Sequence, residues 1–550
     1  MGQVGEIPAP VWWQTDIIYQ IYPRSFKDSN GDGIGDLNGI IEKLDYLSGI
    51  LGVGAIWLSP FYTSPMADFG YDVADYTGVD PMFGDLAAFD RLVEETHRRG
   101  LKIIVDWVPN HSSNQHPWFI ESRSSRTNPK RGWYLWADPK ANGGPPNNWV
   151  SAFGGSAWEW DEQTGQYYEH SFLKEQPDLN WRNPEVVAAM FETVEFWLKR
   201  EVDGFRIDVA QAILKDPQLR DNPLRTNEAL STHKPMGDYD TQIHLYDGPQ
   251  EDTHLIYQQL RRLIDKYSLT RPRMSVGEVH IFDLTKWARY YGQNLDELHM
   301  PFNFGLLKTH WEAQAVRQVV DNLEAHIPPG GWPNYVLSNH DEPRIASRLG
   351  VKTTRLAMML LLTLRGTPTM YYGDELGLQN VEIKADKVQD PWEKLTPGLG
   401  LGRDGERTPM QWDTTPNAGF SPAEATPWLP VAENFQMQNV AVELTQPDSM
   451  LNFTRRLIAL RQGSPALNAG SYQAVDGVPQ TCFVYLRQHG GERYMVLLNF
   501  SEQTEIIELA GWDTGQLALS TRLEAFKERE VNLAKVSLEA GEGWVVKLAE

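Results

Sequence analysis

Residues 86–111 read LAAFDRLVEETHRRGLKIIVDWVPNH. The first part, 86–100, mixes apolar and charged residues in an amphipathic helical pattern. The second, 101–111, opens on a short apolar run and ends in Asp106, Trp107, Val108, Pro109, Asn110 and His111. A helix feeding a buried strand is the unit of a parallel sheet with crossover helices. The unit recurs. VVAAMFETVEFWLKR (186–200) precedes GFRIDV (204–209). The runs DIIYQIYPRSF (16–26), GAIWLSP (54–60), MSVGEV (274–279), ELHMPFNF (297–304), NYVLSNHD (334–341) and TPTMYYGDE (367–375) bring the expected strands to eight. Eight such units close a (β/α)8 barrel, an α/β fold.

Two stretches depart from this rhythm. Residues 112–180 are rich in Asn, Pro, Gly, Ser and Trp, and a connection of that length after the third strand reads as an inserted subdomain. From about 465 the pattern changes to short alternating strands: TCFVYLRQ, RYMVLLNF, TEIIELA and GWVVKLA. These predict a C-terminal antiparallel β domain. The expected division is a barrel from 1–111 and 181–464, an insert at 112–180 and a β domain at 465–550.

The chain has 550 residues and a formal net charge of −23, which excludes nucleic acid and anionic membranes as natural partners. Its 20 tryptophans suit stacking on sugar rings, although most aromatics must fill the core. The one cysteine, Cys482, permits no intrachain disulfide. The segment MGQVGEIPAP shows no basic region followed by an apolar run, and the apolar stretch 356–364 is too short to span a bilayer and reads as a buried helix. A cytoplasmic protein acting on small neutral substrates is expected.

In such a barrel, chemistry sits at the carboxyl ends of the strands. There the third strand offers Asp106 and His111, the fourth Arg206 and Asp208, the fifth Glu278, and the seventh His340 and Asp341. Carboxylates at the ends of apolar strands are costly unless paired, so three converging on one mouth, each beside His or Arg, point to chemistry. Glycoside hydrolysis with retention needs an ionised nucleophile and a protonated acid. Asp208, with Arg206 two residues back on the same strand face, suits the nucleophile. Glu278, on the next strand, suits the acid. Asp341 can bind hydroxyls and raise the acid's pKa, and His111 and His340 can donate to hydroxyls.

These four segments resemble, in order, the sequence regions of the α-amylase superfamily, glycoside hydrolase family 13. The resemblance implies Asp208 as nucleophile, Glu278 as general acid/base and Asp341 as transition-state stabiliser, with Asp106, His111, Arg206 and His340 in the glucose subsite. Gln176-Pro177-Asp178-Leu179-Asn180, Arg407-Thr408-Pro409-Met410-Gln411-Trp412 and Pro416-Asn417-Ala418-Gly419-Phe420 resemble the oligo-1,6-glucosidase and α-glucosidase subgroup. That likeness implies a clamp of Asp72 and Arg407 on the terminal glucose and hence exo action. Tyr71 and Phe172 complete the candidate substrate-binding set. It also matches the insert to the family's B domain and the tail to its β-sandwich C domain.

The subgroup's sucrose isomerases carry an Arg-Leu-Asp-Arg-Asp loop after the sixth strand. Here the stretch from Asn303 reads NFGLLKTHWEAQAVRQ, which lowers that reading. Val209, after the nucleophile, tends in the subgroup to accompany α-1,6 and sucrose-type activity. A glucosyltransferase or isomerase acting on sucrose or maltose is the closest alternative. A non-enzymatic transporter partner is remote, because all three carboxylates are kept. DSNGDGIGD (28–36) follows the ligand spacing of a calcium loop without the Glu at its twelfth position. Relatives hold Ca²⁺ there, which implies Asp28, Asn30, Asp32, Asp36 and the Ile34 carbonyl as ligands of a structural ion. No organic cofactor is implied. Glu375 reads as scaffold.

Overall fold

The computed structural model describes residues 10–226, 234–523 and 527–549. Eight strands form one parallel sheet: β1 (Ile18–Ile21), β2 (Ala55–Leu58), β3 (Lys102–Trp107), β4 (Gly204–Ile207), β5 (Met274–Gly277), β6 (Met300–Pro301), β7 (Asn334–Val336) and β8 (Thr367–Tyr371). Their order is β7-β8-β1-β2-β3-β4-β5-β6. β1 pairs with both β2 and β8, with Ile18 opposite Ala55 and Thr369. A parallel bridge between Asn303 and Tyr335 joins the two ends of the sheet. The barrel expected from the alternation is therefore present. Nearly every strand residue is buried, as parallel strands covered by helices require.

Local sequence explains the elements around it. Helix α1 (Leu86–Arg98) starts at Asp85, whose side chain accepts from the Ala88 amide, and buries Ala88, Phe89, Leu92, Val93 and Thr96 along one face. Helix α2 (Pro184–Lys199) follows an Asn183 cap with proline at its first turn. Helix α3 (Thr354–Thr363) buries almost its whole surface, as its sequence predicts. β6 spans only two residues where eight apolar-rich ones suggested a longer strand. Pro301 has no amide hydrogen to continue the ladder.

Within 112–180 lies a small antiparallel sheet of Trp136–Ala137, Gln166–Glu169 and Trp158–Asp161. Beyond α4 (Met450–Gln462) the chain builds a six-stranded antiparallel sheet. Its central hairpin pairs Cys482–His489 with Glu492–Asn499 across the turn Gly490-Gly491, where Gly490 has φ 57°. This sheet packs on α3: the Thr363 and Tyr485 hydroxyls are hydrogen-bonded, and Gly543 leaves room for Met359 and Leu356. Among the described residues no helix is long and apolar enough to cross a membrane.

Candidate active site

Four strand ends deliver their side chains to one cavity of about 440 Å³. Asp208 and Glu278 follow β4 and β5 directly, so the ladder fixes their backbones: the Asp208 amide donates to Trp107 O, and the Glu278 amide to Ile207 O. Arg206 sits at the centre. Its Nη1 lies 2.8 Å from Asp106 Oδ1 and 2.8 Å from Asp208 Oδ1, and its Nη2 donates to Glu278 Oε2. The guanidinium is covered by Trp57 and Tyr71. The shared face of Arg206 and Asp208, expected from their spacing, is thus realised.

Tyr71 stacks on His340 at 5.3 Å, and its hydroxyl bonds Asp106 Oδ2 and His340 Nε2. Gln20 Nε2 lies 2.7 Å from His340 Nδ1, which makes Nδ1 the acceptor and leaves Nε2–H facing Tyr71 and Asp341. Gln176 Nε2 donates to His111 Nε2 and Asp68 Oδ2, and Asp178 meets Lys215 Nζ at 2.9 Å. The Gln176–Asn180 motif therefore ties the insert to the barrel. Phe172 meets the His111 ring edge-on.

Of the sequence-derived set, Asp208, Glu278, Asp341, Tyr71, His111 and Phe172 line the cavity, and Asp106, Arg206 and His340 support them from behind. The expected clamp of Asp72 with Arg407 is not formed. Asp72 is fully buried, where it accepts from Ser64 Oγ and the Ala67 and Asp68 amides and so braces the 64–72 loop. Arg407 donates to His340 O and Asp341 Oδ1. The guanidinium that closes the cavity belongs to Arg403, which meets Asp68 Oδ1 at 2.8 Å, Asp390 Oδ1 at 2.8 Å and Asp341 Oδ1 at 3.1 Å. Asp68 and Arg403 line the cavity and Asp72 and Arg407 do not. The Asp–Arg pair that lines the cavity thus stands four positions before the residues inferred, at both ends. Sequence reasoning also missed His280, whose Nε2 lies 2.7 Å from Glu278 Oε1.

The electrostatics differ from expectation too. Burial raises the Asp208 carboxyl well above its usual range; Arg206 opposes this, and Glu278, Asp106 and Asp341 reinforce it. Burial would also raise Glu278, but Arg206 and His280 outweigh it and hold that carboxyl down to about 2. Asp208 has one guanidinium contact, whereas Glu278 receives Arg206, His280 and the Val209 amide. The shared arginine and His280 thus favour the charged form of Glu278 more than that of Asp208. Burial would raise Asp341 as well, yet His340, Arg403, Arg407 and Arg206 keep it well below the usual range. Burial lowers His111 to about 4 and His340 to about 3, so both are neutral.

Val209 lies in the cavity wall with φ 44°, a strained conformation for a β-branched residue, and its amide points at Glu278 Oε2. Glu375 is scaffold, accepting from the Tyr19 and Tyr46 hydroxyls. In the loop 28–36 the donors are all oxygen, which suits a hard cation. Asp28, Asn30, Asp32 and Asp36 also accept from amides of the loop or its following helix. Among the described residues no group of three or more His, Cys, Asp or Glu side chains forms a metal cluster.

Comparison with known proteins agrees with this geometry. The family described as Alpha amylase, catalytic domain, matches residues 20–470. An oligo-1,6-glucosidase of Parageobacillus thermoglucosidasius is 38% identical over 535 residues, covering 91% of this chain and 92% of the relative. Maltase 1 of Drosophila virilis is 41% identical over 520 residues, covering 91% and 80%. The solved structure of an alpha-glucosyl transfer enzyme, XgtA, superposes with a TM-score of 0.92 at 41% identity, covering 98% of this chain and all of that one. A barrel of eight parallel strands, three carboxylates around one arginine, and these likenesses lead to one conclusion: the chain belongs to the α-amylase family and is a glycoside hydrolase.

Proposed function

We propose that the protein is a retaining, exo-acting α-glucosidase that releases α-glucose from the non-reducing end of short α-glucosides such as maltose, isomaltose, sucrose-type sugars and small oligosaccharides. The observation that carries this is the convergence of Asp208, Glu278 and Asp341 on one cavity whose wall is crossed by Asp68 and Arg403. In this reading Asp208 attacks the anomeric carbon, Glu278 protonates the leaving oxygen and later activates water, and Asp341 holds hydroxyls of the distorted sugar. Two carboxyls joined through one guanidinium are held at short range, which suits the roughly 5–5.5 Å of a retaining pair. Entry of glucose has to loosen the Arg206–Glu278 contact, freeing Glu278 to take up a proton while Arg206 keeps its bond to Asp208. The relatives named oligo-1,6-glucosidase and maltase support the substrate class.

Transfer of glucose to a second sugar is the other reading, favoured by the likeness to a glucosyl transfer enzyme and by the aromatic side chains Phe153, Phe172 and Trp392 among the residues that line the cavity. Both readings share the glucosyl-enzyme and differ in what attacks it. The same proposal includes a structural Ca²⁺ in the 28–36 loop and a cytoplasmic setting, supported by the donor set and by the buried, unpaired Cys482. A panel of maltose, isomaltose, sucrose, trehalose and maltoheptaose, with products resolved and the first anomer read by proton NMR, tests it. Initial release of β-glucose would overturn the retaining assignment, and glucosylated acceptors would identify transfer.

A further inference from the structure

Glu278 must carry a transferable proton, and its surroundings decide on which oxygen. Oε2 faces two donors, Arg206 Nη2 and the Val209 amide at 3.2 Å. A proton there would meet the Val209 amide head-on even with the Arg206 contact loosened. Oε1 is left, and it lies 2.7 Å from His280 Nε2. The His280 ring stacks flat on Phe304, with centroids 4.4 Å apart and planes 4° off parallel, and the His280 amide reaches toward Gln211 Oε1. The imidazole is therefore fixed in orientation, while its side chain remains 35% exposed at the cavity wall. The charged groups acting on Glu278 besides His280 are Arg206 and Asp341, and Asp208 and Asp106 meet it through the same arginine.

We propose that His280 is a positioning residue for the acid step: it holds the transferable proton in the hydrogen bond between its Nε2 and Glu278 Oε1 at the cavity wall, so that Oε1 is the oxygen that delivers it once sugar has weakened the hold of Arg206 on Glu278. This rests on reading Glu278 as the general acid. The pair shares one proton. With sugar bound, that proton passes from Oε1 to the glycosidic oxygen. The C1–O bond breaks with its electrons going to that oxygen, while an ionised Asp208 oxygen bonds C1. Glu278 is left as carboxylate. It regains the proton from the water that later hydrolyses the glucosyl-enzyme, so the cycle closes without an added acid or base. Neither Arg206 nor the Val209 amide can substitute for His280, because both are donors only and both face Oε2.

The test separates proton delivery from general damage. Maltose needs its leaving oxygen protonated, whereas α-glucosyl fluoride departs as fluoride without help. In His280→Phe, kcat/KM on maltose is expected to fall on the order of 100-fold, and at least tenfold further than on α-glucosyl fluoride. His280→Gln, whose amide can still bond Oε1 but cannot share a proton, is the second variant and should show the same split at smaller size. Melting curves confirm that both fold. Equal losses on the two substrates, or no loss on either, would overturn the proposal. Glu278→Gln is the control. If it fails to show the split, the assignment of Glu278 has failed, independently of the link to His280.

Discussion

Arg403 Nη2 lies 2.8 Å from Asp68 Oδ1, and both side chains line the cavity. The pair is nearly dry, with side-chain exposures of 6% each, so a longer sugar chain could pass only by displacing two desolvated charges. The expected outcome is release of single glucose units: in a chromatographic time course on maltoheptaose, glucose appears before maltotriose or maltotetraose. Arg403→Ala should cost on the order of 2–5 kcal/mol in kcat/KM on maltose, because it strands buried carboxylates. Asp72→Asn should lower the melting temperature, since Asp72 braces a loop, and should cost less activity than Arg403→Ala.

Asp208→Asn should leave a folded enzyme whose turnover is down by several orders of magnitude, because an amide cannot form the glucosyl ester. A variant keeping a tenth of wild-type kcat on maltose would remove Asp208 from the nucleophile role.

Glu443 provides a pH-dependent prediction remote from the chemistry. Burial raises its carboxyl from 4.5 to about 7; the Leu451 amide and Arg355 oppose this, and Glu375 adds to it. The fold therefore favours the protonated form. Its contribution is full below pH 4.5 and is lost as pH rises through about 7, where the buried charge becomes a cost of up to about 3 kcal/mol. Glu443→Gln stays neutral and keeps an acceptor for the Leu451 amide, whose bond is now 2.8 Å. The melting temperature of the variant minus that of the wild type should rise between pH 5 and pH 8. A constant difference would show that Glu443 is ionised in the fold throughout.

If the 28–36 loop holds Ca²⁺, excess EDTA should lower the melting temperature, since a ligand bound only by the native state stabilises it. Maltose turnover at low temperature should persist, because the loop contributes nothing to the cavity wall. An unchanged melting curve together with no metal in elemental analysis would leave a turn built from Asx hydrogen bonds alone.

The eight strands were legible because burial on both faces forces short apolar runs, and the candidate catalytic carboxylates because a charge at such a run's end is conspicuous. The clamp was harder. Asp68 and Asp72, like Arg403 and Arg407, are same-type residues four apart in loops, and no periodicity says which one turns inward. Only the backbone decides, with Phe69 at φ 49° and Gly70 at φ 109° between the two aspartates. His280 stands two residues from Glu278 in a segment already singled out, yet its contact depends on Phe304, brought beside it from the end of β6. The charge distribution was illegible for a related reason. Asp106, Asp208 and Glu278 share Arg206, and the balance among them depends on hydrogen-bond geometry rather than on residue type.

Because β1 is hydrogen-bonded to β8, Ile18 cannot find Thr369 until about 350 further residues have left the ribosome. At roughly 5–20 residues per second, the first strand waits on the order of 20–70 s with one edge open. Through that interval the nascent chain carries an unpaired strand edge, the kind of surface that makes folding intermediates prone to aggregate. Slowing synthesis between β1 and β8 should lengthen that exposure.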